Sequence, residues 1–143
     1  MSHTEEYQSK LVTAAEAVSV VKSGDIVEYG FFNGKPIACD IALAERHEEL
    51  EEVQIFTAVT LPPVPEVAKH PDSFVYHDWQ FSKISRIMQR DFSVAWYCPS
   101  LYHRGPIMYR EQMGPMRNVA IVQVGPMDEH GYFNLGPQNS TGI

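Results

Sequence analysis

Apolar residues along the chain fall into two alternating kinds of run. Short, nearly continuous stretches at Asp25–Tyr29, Val53–Val59, Phe74–His77, Ser93–Tyr97 and Val119–Val124 have the length and β-branched content of strands buried on both faces. Between them the apolar positions recur at helical spacing. Thr13 and Glu16 have the spacing of a capping box, and Val12 is placed to staple against Ala17. That helix runs through Val18 and Val21 and closes at Lys22 and Gly24. A second helix starts at Pro36 and sets Ile37, Ile41 and Ala44 on one face before fading into the run Glu45–Glu52. Further helices are expected at Glu66–Lys69, at Ser82–Arg90 with Ile84, Ile87 and Met88 inward, and at Ser100–Arg110. Asp128-Glu-His-Gly131 reads as a turn, after which Tyr132–Leu135 returns as an antiparallel partner or extension. Strand and helix therefore alternate. The pattern predicts an α/β domain, a mostly parallel sheet with helices on both faces.

The chain is 143 residues long, enough for one domain with a real core. Its last residues are unusual, because Asn139, Ser140 and Thr141 stand where a further helix would be capped, and no helix follows. A chain that is truncated at its C-terminal end, a piece of something longer, is the expectation. No apolar run approaches the roughly 20 residues of a membrane helix. The polar, acidic start Met1-Ser-His-Thr-Glu-Glu lacks the basic opening of a secretory signal. Cys39 and Cys98 fit no metal or CxxC spacing and suit a reducing compartment, so the chain is expected in the cytoplasm.

The formal charge of −7 resides wholly in residues 1–52, which hold 11 acidic and 4 basic side chains; the rest is balanced at 7 and 7. The acidic run Glu45–Glu52 reads as a solvated helix end. With no basic stripe, nucleic acid is excluded as a partner, because its phosphates would be repelled. The six histidines form no HExxH pair or Cys/His cluster, so no metal site is expected.

Three segments invite a chemical reading. Gly30-Phe-Phe-Asn-Gly-Lys-Pro36 resembles a phosphate loop, but its glycines are one residue too close. Pro36 also stands where the magnesium-holding Ser or Thr belongs. What survives is a strand-to-helix turn at the carboxyl edge of the sheet, where open α/β folds bind ligands. His77-Asp78 offers a base and a carboxylate, yet neighbours on a strand point to opposite faces, so the two do not form a pair. Ser140 lies in no nucleophile elbow.

Asp25-Ile-Val-Glu-Tyr-Gly30, Tyr97-Cys-Pro99 and above all Gln123-Val-Gly-Pro-Met-Asp-Glu-His-Gly-Tyr-Phe-Asn-Leu-Gly136 resemble the acetyl-CoA hydrolase/transferase family. The likeness runs from about Lys10 to the end and is greatest to 4-hydroxybutyrate and butyrate–acetate CoA-transferases. Members are well over twice this length, with two similar α/β halves, and this chain resembles the N-terminal half only. Residues 1–143 are thus expected to be an N-terminal CoA-transferase-like domain, with the C-terminal half as its partner.

The resemblance implies covalent catalysis by a glutamate of that absent half. The glutamate attacks an acyl-CoA thioester, passes through a mixed anhydride and a glutamyl-CoA thioester, and yields CoA to an acceptor carboxylate. No glutamate here takes the role: Glu16, Glu45, Glu48 and Glu49 read as helix surface, and Glu129 lies in a turn. No catalytic residue is therefore assigned to this chain, which is expected to be inactive alone. It binds no cofactor by itself; the CoA thioester is substrate. Its share is one wall of the carboxylate pocket, from the loops Gly30–Lys35, Thr60–Pro63, Pro99–Tyr102 and Gly136–Ser140. By loop position Phe31, Asn33, Gly34, Gln138 and Asn139 are the candidate pocket residues, with Asn33, Gln138 and Asn139 as hydrogen-bond donors and Phe31 as a shield against water. The expected partners are an acyl-CoA and a short carboxylate, and further copies of the chain in a homo-oligomer. Two alternatives stay open at this point: an acyl-CoA hydrolase of the same family, and a ligand-binding domain of the same fold without chemistry. A scaffolding role is disfavoured, because the apolar strands are of the buried kind.

Overall fold

A computed structural model describes residues 2–111 and 116–138. Five strands form one sheet: β1 Ile26–Tyr29, β2 Val53–Thr57, β3 Phe74–Asp78, β4 Ala95–Tyr97 and β5 Val119–Ile121. Their order is β4-β3-β2-β1-β5, and every pairing is parallel. The predicted α/β class and parallel sheet are both present.

Alternation within the strands divides the sheet into two faces. Val27, Tyr29, Val53, Ile55, Phe74 and Tyr76 turn to one side and are buried there. Against them pack Val18 of α2 (Ala14–Val18), Leu43 of α3 (Ile37–Ala44), and Ile84 and Met88 of α4 (Lys83–Phe92). Each such side chain taken fully from water contributes roughly 1.5–3 kcal/mol, and this cluster is the main core. The second face carries Glu28, Phe56, His77 and Trp96 in register from β1 to β4. Over it lies the short helix α5 (Gly105–Arg110), whose Tyr109 hydroxyl donates to Glu28 Oε1 at 2.8 Å. Helices thus cover both faces, unequally.

The caps read from the sequence form. Thr13 Oγ1 accepts the Glu16 N–H at 3.2 Å while Glu16 Oε2 accepts the Thr13 N–H at 2.9 Å. Ser82 Oγ accepts the amides of Ile84 and Ser85 at 3.0 and 3.2 Å. The helix after Thr13 stops at Val18 rather than Lys22, because the chain turns there to send both Val18 and Val21 into the core.

In α3 the expected face holds only at Ala44, which is buried; Ile37 and Ile41 are 44% and 45% exposed, while Asp40 and Leu43 are buried instead. Asp40 can be inside because Tyr29 donates its hydroxyl to Oδ1 at 3.2 Å and Glu66 its amide to Oδ2 at 2.6 Å. Burial still raises the Asp40 carboxyl above its ordinary range. Strand β2 ends at Thr57 rather than Val59, since Val59 is left-handed with φ 56°. The segment after β5 folds back through Gly125 N–H to Asn134 O at 2.8 Å and Asp128 N–H to Tyr132 O at 2.9 Å, without becoming a strand.

The sequence pattern missed α1 (His3–Lys10). A Ser2–Glu5 capping box starts it, and it buries no residue. It rests on the returning segment, with Tyr7 and Phe133 rings 5.7 Å apart. Gly131, at φ 86°, lies so close that a Cβ would stand 2.7 Å from His3 Cγ. The expected helix start at Asn139–Thr141 lies outside the described residues.

Candidate functional site

The strand order places the site. From β1 the sheet grows in one direction through β2 and β3 to β4, and the chain then crosses to the other flank of β1 to lay down β5. Between β1 and β5 the winding reverses, and the loops leaving their carboxyl ends diverge around a crevice. Gly30 N–H donates to Ile121 O at 3.2 Å and Gln123 N–H to Gly34 O at 3.1 Å, so the two loops are joined at the base. Above them is a cavity of about 280 Å³ bounded by Asn33, Gln123, Val124, Gly125, and the stretch Asn134–Pro137. A single turn of 3-10 helix at Phe32–Gly34 faces another at Gly136–Gln138 across this cavity.

Among the predicted pocket residues, Asn33 lines the cavity, and its side-chain amide has no hydrogen-bond partner among the described residues. Gly34 is buried, and its carbonyl accepts the Gln123 amide. Phe31 is buried in a small cluster with Ala58 and Trp79, its ring 5.5 Å from the Trp79 ring, and does not line the cavity. The Gln138 backbone closes the second turn; its side chain and all of Asn139 lie outside the described residues. The lining is one of amides, backbone and aliphatic groups. It holds no carboxylate, thiol, imidazole or amine among the described residues.

Three groups outside the expected set of pocket residues shape the surroundings. Lys35 is 5% exposed and donates its ammonium to Leu61 O at 2.8 Å and to Pro63 O, tying the loop after β2 to the loop after β1. Burial lowers its pKa from the ordinary lysine value. Asp78 is fully buried and accepts hydrogen bonds from Val59, Thr60, Gln80 and Ser85. Arg117 stands over the second face, its guanidinium 4.0 Å from the Phe56 ring centroid and its Nε 3.0 Å from Glu28 Oε2. The Lys-Pro dipeptide and the His-Asp pair were visible in the sequence, but their partners come from distant loops.

His77 and Asp78 do face opposite ways, as the strand geometry requires. His77 stacks on Phe56, with ring centroids 4.2 Å apart, and contacts Cys98 Sγ through Nδ1 at 3.5 Å and Gln54 Oε1 through Nε2 at 3.2 Å. With Gln54 as acceptor, Nε2 carries the proton and Nδ1 accepts the Cys98 thiol. Burial pushes the imidazole pKa down to about 4 and the thiol up, so both are neutral near pH 7. A neutral thiol in apolar surroundings is a packing group, not a nucleophile. Among the described residues no three His, Cys, Asp or Glu side chains gather as a metal site, and no helix is long and apolar enough to cross a membrane.

Known proteins are similar to this chain in sequence and in fold. The profile of the acetyl-CoA hydrolase/transferase N-terminal domain matches residues 1–141. The butyryl-CoA:acetate CoA-transferase of Anaerostipes caccae is 42% identical over 142 residues, 98% of this chain and 31% of that protein. The 4-hydroxybutyrate coenzyme A transferase of Clostridium kluyveri is 25% identical over 139 residues, 97% of this chain and 32% of that protein. The crystal structure of RipA from Yersinia pestis superposes with a TM-score of 0.80 at 27% identity, covering 95% of this chain and 34% of RipA. The chain spans about a third of the length of these relatives. With the profile matched along nearly its whole length, the chain belongs to the acetyl-CoA hydrolase/transferase family.

Proposed function

We propose that this chain is the N-terminal domain of a CoA-transferase moving CoA between a short-chain acyl-CoA (butyryl-, 4-hydroxybutyryl- or acetyl-CoA) and a carboxylate such as acetate. One observation supports the reading: the crevice at the β1/β5 switch point is lined by amides, backbone and aliphatic groups and holds no nucleophile or general base among the described residues. A site of that kind supplies half of a reaction. The other half, on this reading, is a glutamate carboxylate from a C-terminal domain, for which the roughly threefold greater length of the relatives leaves room.

The steps balance without a redox partner. The glutamate oxygen adds to the thioester carbonyl, the carbon–sulfur bond breaks, and CoA leaves as thiolate. The thiolate then attacks the glutamyl carbonyl of the anhydride and expels the acyl group as a free carboxylate. The acceptor carboxylate runs the same two steps in reverse. This chain's residues bind and shield: the Asn33 amide donates to a carboxylate oxygen, and Val124, Leu135 and Pro137 limit water access. Water admitted to the anhydride gives a hydrolase instead. Free Cys39 and Cys98 suit a cytoplasmic setting, and a homo-oligomeric enzyme belongs to the same proposal.

The test uses the protein expressed from its complete gene, supplied with butyryl-CoA and acetate. Formation of acetyl-CoA and butyrate at equal rates supports the transferase. CoA release without acceptor favours the hydrolase, and turnover by residues 1–143 alone refutes the division of labour. Asn33→Ala is expected to weaken the acceptor carboxylate about tenfold, the loss of one hydrogen bond to a charged group. Acyl-CoA kinetics should change less. Unchanged acceptor kinetics would remove Asn33 from the pocket.

A further inference from the structure

Asp78 ends β3, is fully inaccessible, and accepts five hydrogen bonds. Its Oδ1 takes the amides of Val59 at 2.7 Å and Gln80 at 3.1 Å. Its Oδ2 takes the Thr60 amide at 3.1 Å, the Thr60 hydroxyl at 2.9 Å and the Ser85 hydroxyl. One carboxylate thus gathers the exit of β2, the exit of β3 and the first turn of α4.

The turn it holds is an unfavourable one. Val59 lies at φ 56°, where a β-branched side chain crowds the backbone and almost never sits. Such a conformation persists only where its surroundings over-determine it. Here two consecutive amides, of Val59 and Thr60, are fixed on one buried carboxyl group.

That turn in turn fixes the crevice. Phe32 N–H donates to Ala58 O at 3.1 Å, one residue before the strained valine. Lys35 donates to Leu61 O at 2.8 Å and to Pro63 O, just after it. The loop Phe31–Lys35, which presents Asn33 to the cavity, is therefore attached at both ends to the segment that Asp78 holds.

We infer that Asp78 is a positioning residue: by holding Val59 and Thr60 in a left-handed turn it sets, through Phe32 and Lys35, where the Asn33 amide meets a substrate carboxylate. The inference rests on the CoA-transfer reading, and its test separates the two.

The experiment compares Asp78→Asn, Val59→Gly, the double variant and Ser85→Ala in the protein expressed from its complete gene. Asparagine keeps the shape of Asp78 but sets an NH2 group against the Thr60 amide, a donor that cannot reverse. Glycine adopts φ near 56° without help, so Val59→Gly is the reference for the double variant. In Asp78→Asn, amide exchange at Val59, Thr60 and Phe32 is expected to accelerate. The kcat/KM for the acceptor carboxylate should fall on the order of ten- to hundredfold, the cost of misplacing a binding group by about an ångström. The value for acyl-CoA should fall less, and the double variant should recover most of the loss. Ser85→Ala removes one hydrogen bond and should give a smaller loss of the same kind, which decides the matter if Asp78→Asn does not fold.

Faster exchange with unchanged acceptor kinetics overturns the inference, and so does a loss that glycine does not restore. A parent protein without CoA transfer refutes the functional reading by itself. The positioning claim is then decided by exchange alone: it stands if protection of Phe32, whose amide is held by Ala58 O, falls together with that of Val59, and fails if Phe32 is unaffected.

Discussion

Replacing Arg117 by leucine tests how far the second face of the sheet depends on one cation. Its Nε lies 3.0 Å from Glu28 Oε2, and both side chains are only 14% exposed. At that separation the attraction is about 5 kcal/mol for an effective dielectric constant of about 20, much of it cancelled by the desolvation of both ions. Leucine leaves Glu28 without its counter-ion, held by the Tyr109 hydroxyl alone among the described residues. A fully buried charge deprived of its partner costs about 3–5 kcal/mol, and the residual exposure here reduces that to about 2. Contacts with the Phe56 and Tyr109 rings, 4.0 and 5.0 Å from the guanidinium carbon, are lost as well. They add about 1 kcal/mol.

The expected loss is therefore about 3 kcal/mol, read as a fall in the urea midpoint of about 1.5 M for a slope near 2 kcal/mol/M. Adding Glu28→Gln should return about half of it, because no bare charge then remains. The deficit also depends on pH, with a definite sign. Burial already raises the Glu28 carboxyl pKa against the pull of Tyr109 and Arg117, and losing Arg117 raises it further. A carboxyl whose pKa is higher folded than unfolded holds its proton more tightly in the native state. Stability is then greatest below the unfolded value of about 4.3 and is lost as pH rises through the folded value. The variant should accordingly lie closest to the parent in acid and furthest from it near pH 7. A midpoint shift below about 0.3 M, or a deficit independent of pH, would refute the reasoning.

Thr13→Ala removes the acceptor for the Glu16 amide and should cost about 1 kcal/mol, seen as a fall in Tm of about 3 °C. The His77 ring proton should titrate by NMR near pH 4, with burial as the main cause and Arg117 as a second. Because that pKa is depressed in the fold, stability should decline as pH falls from about 6.5 toward the folded value, a limb that His77→Gln should flatten. A measured value near that of free histidine would remove the ring from its place between Phe56 and Cys98. Residues 1–143 by themselves should self-associate, since Trp96, Tyr97 and Leu101 are 59%, 58% and 64% exposed. Sedimentation velocity at rising concentration checks this, and a monomer throughout would count against it.

The framework of the fold was legible because it is written in local terms. The Thr13–Glu16 box, the Ser82 cap and the apolar strands need only their neighbours in sequence. Where the reading failed, distant partners decided the outcome. The apolar side chains of Ile37 and Ile41 favour the inside by themselves, yet Tyr29 and the Glu66 amide give Asp40 two hydrogen bonds and let it be buried in their place. Helix α1 carries its own capping box but no apolar stripe, so the periodic signal was absent. The position of Asn33 followed from the strand-edge rule. Asp78 did not, because four of its five donors belong to Val59, Thr60 and Ser85, none of them near it on the strand.

The strand order has a consequence for how the protein is made. Strands β1 to β4 are laid down as successive neighbours, whereas β5 must return across the sheet to reach β1. During synthesis the first 97 residues can therefore pair into four strands while one flank of β1 stays open. Those unpaired amides and carbonyls are a template for any passing strand, including β5 of another nascent copy. The crevice is completed by the same late arrival, so its two walls, Asn33 and Gln123, come together only after some ninety further residues have left the ribosome. Correct closure of that flank is at once the step that covers the open edge of β1 and the step that completes the crevice.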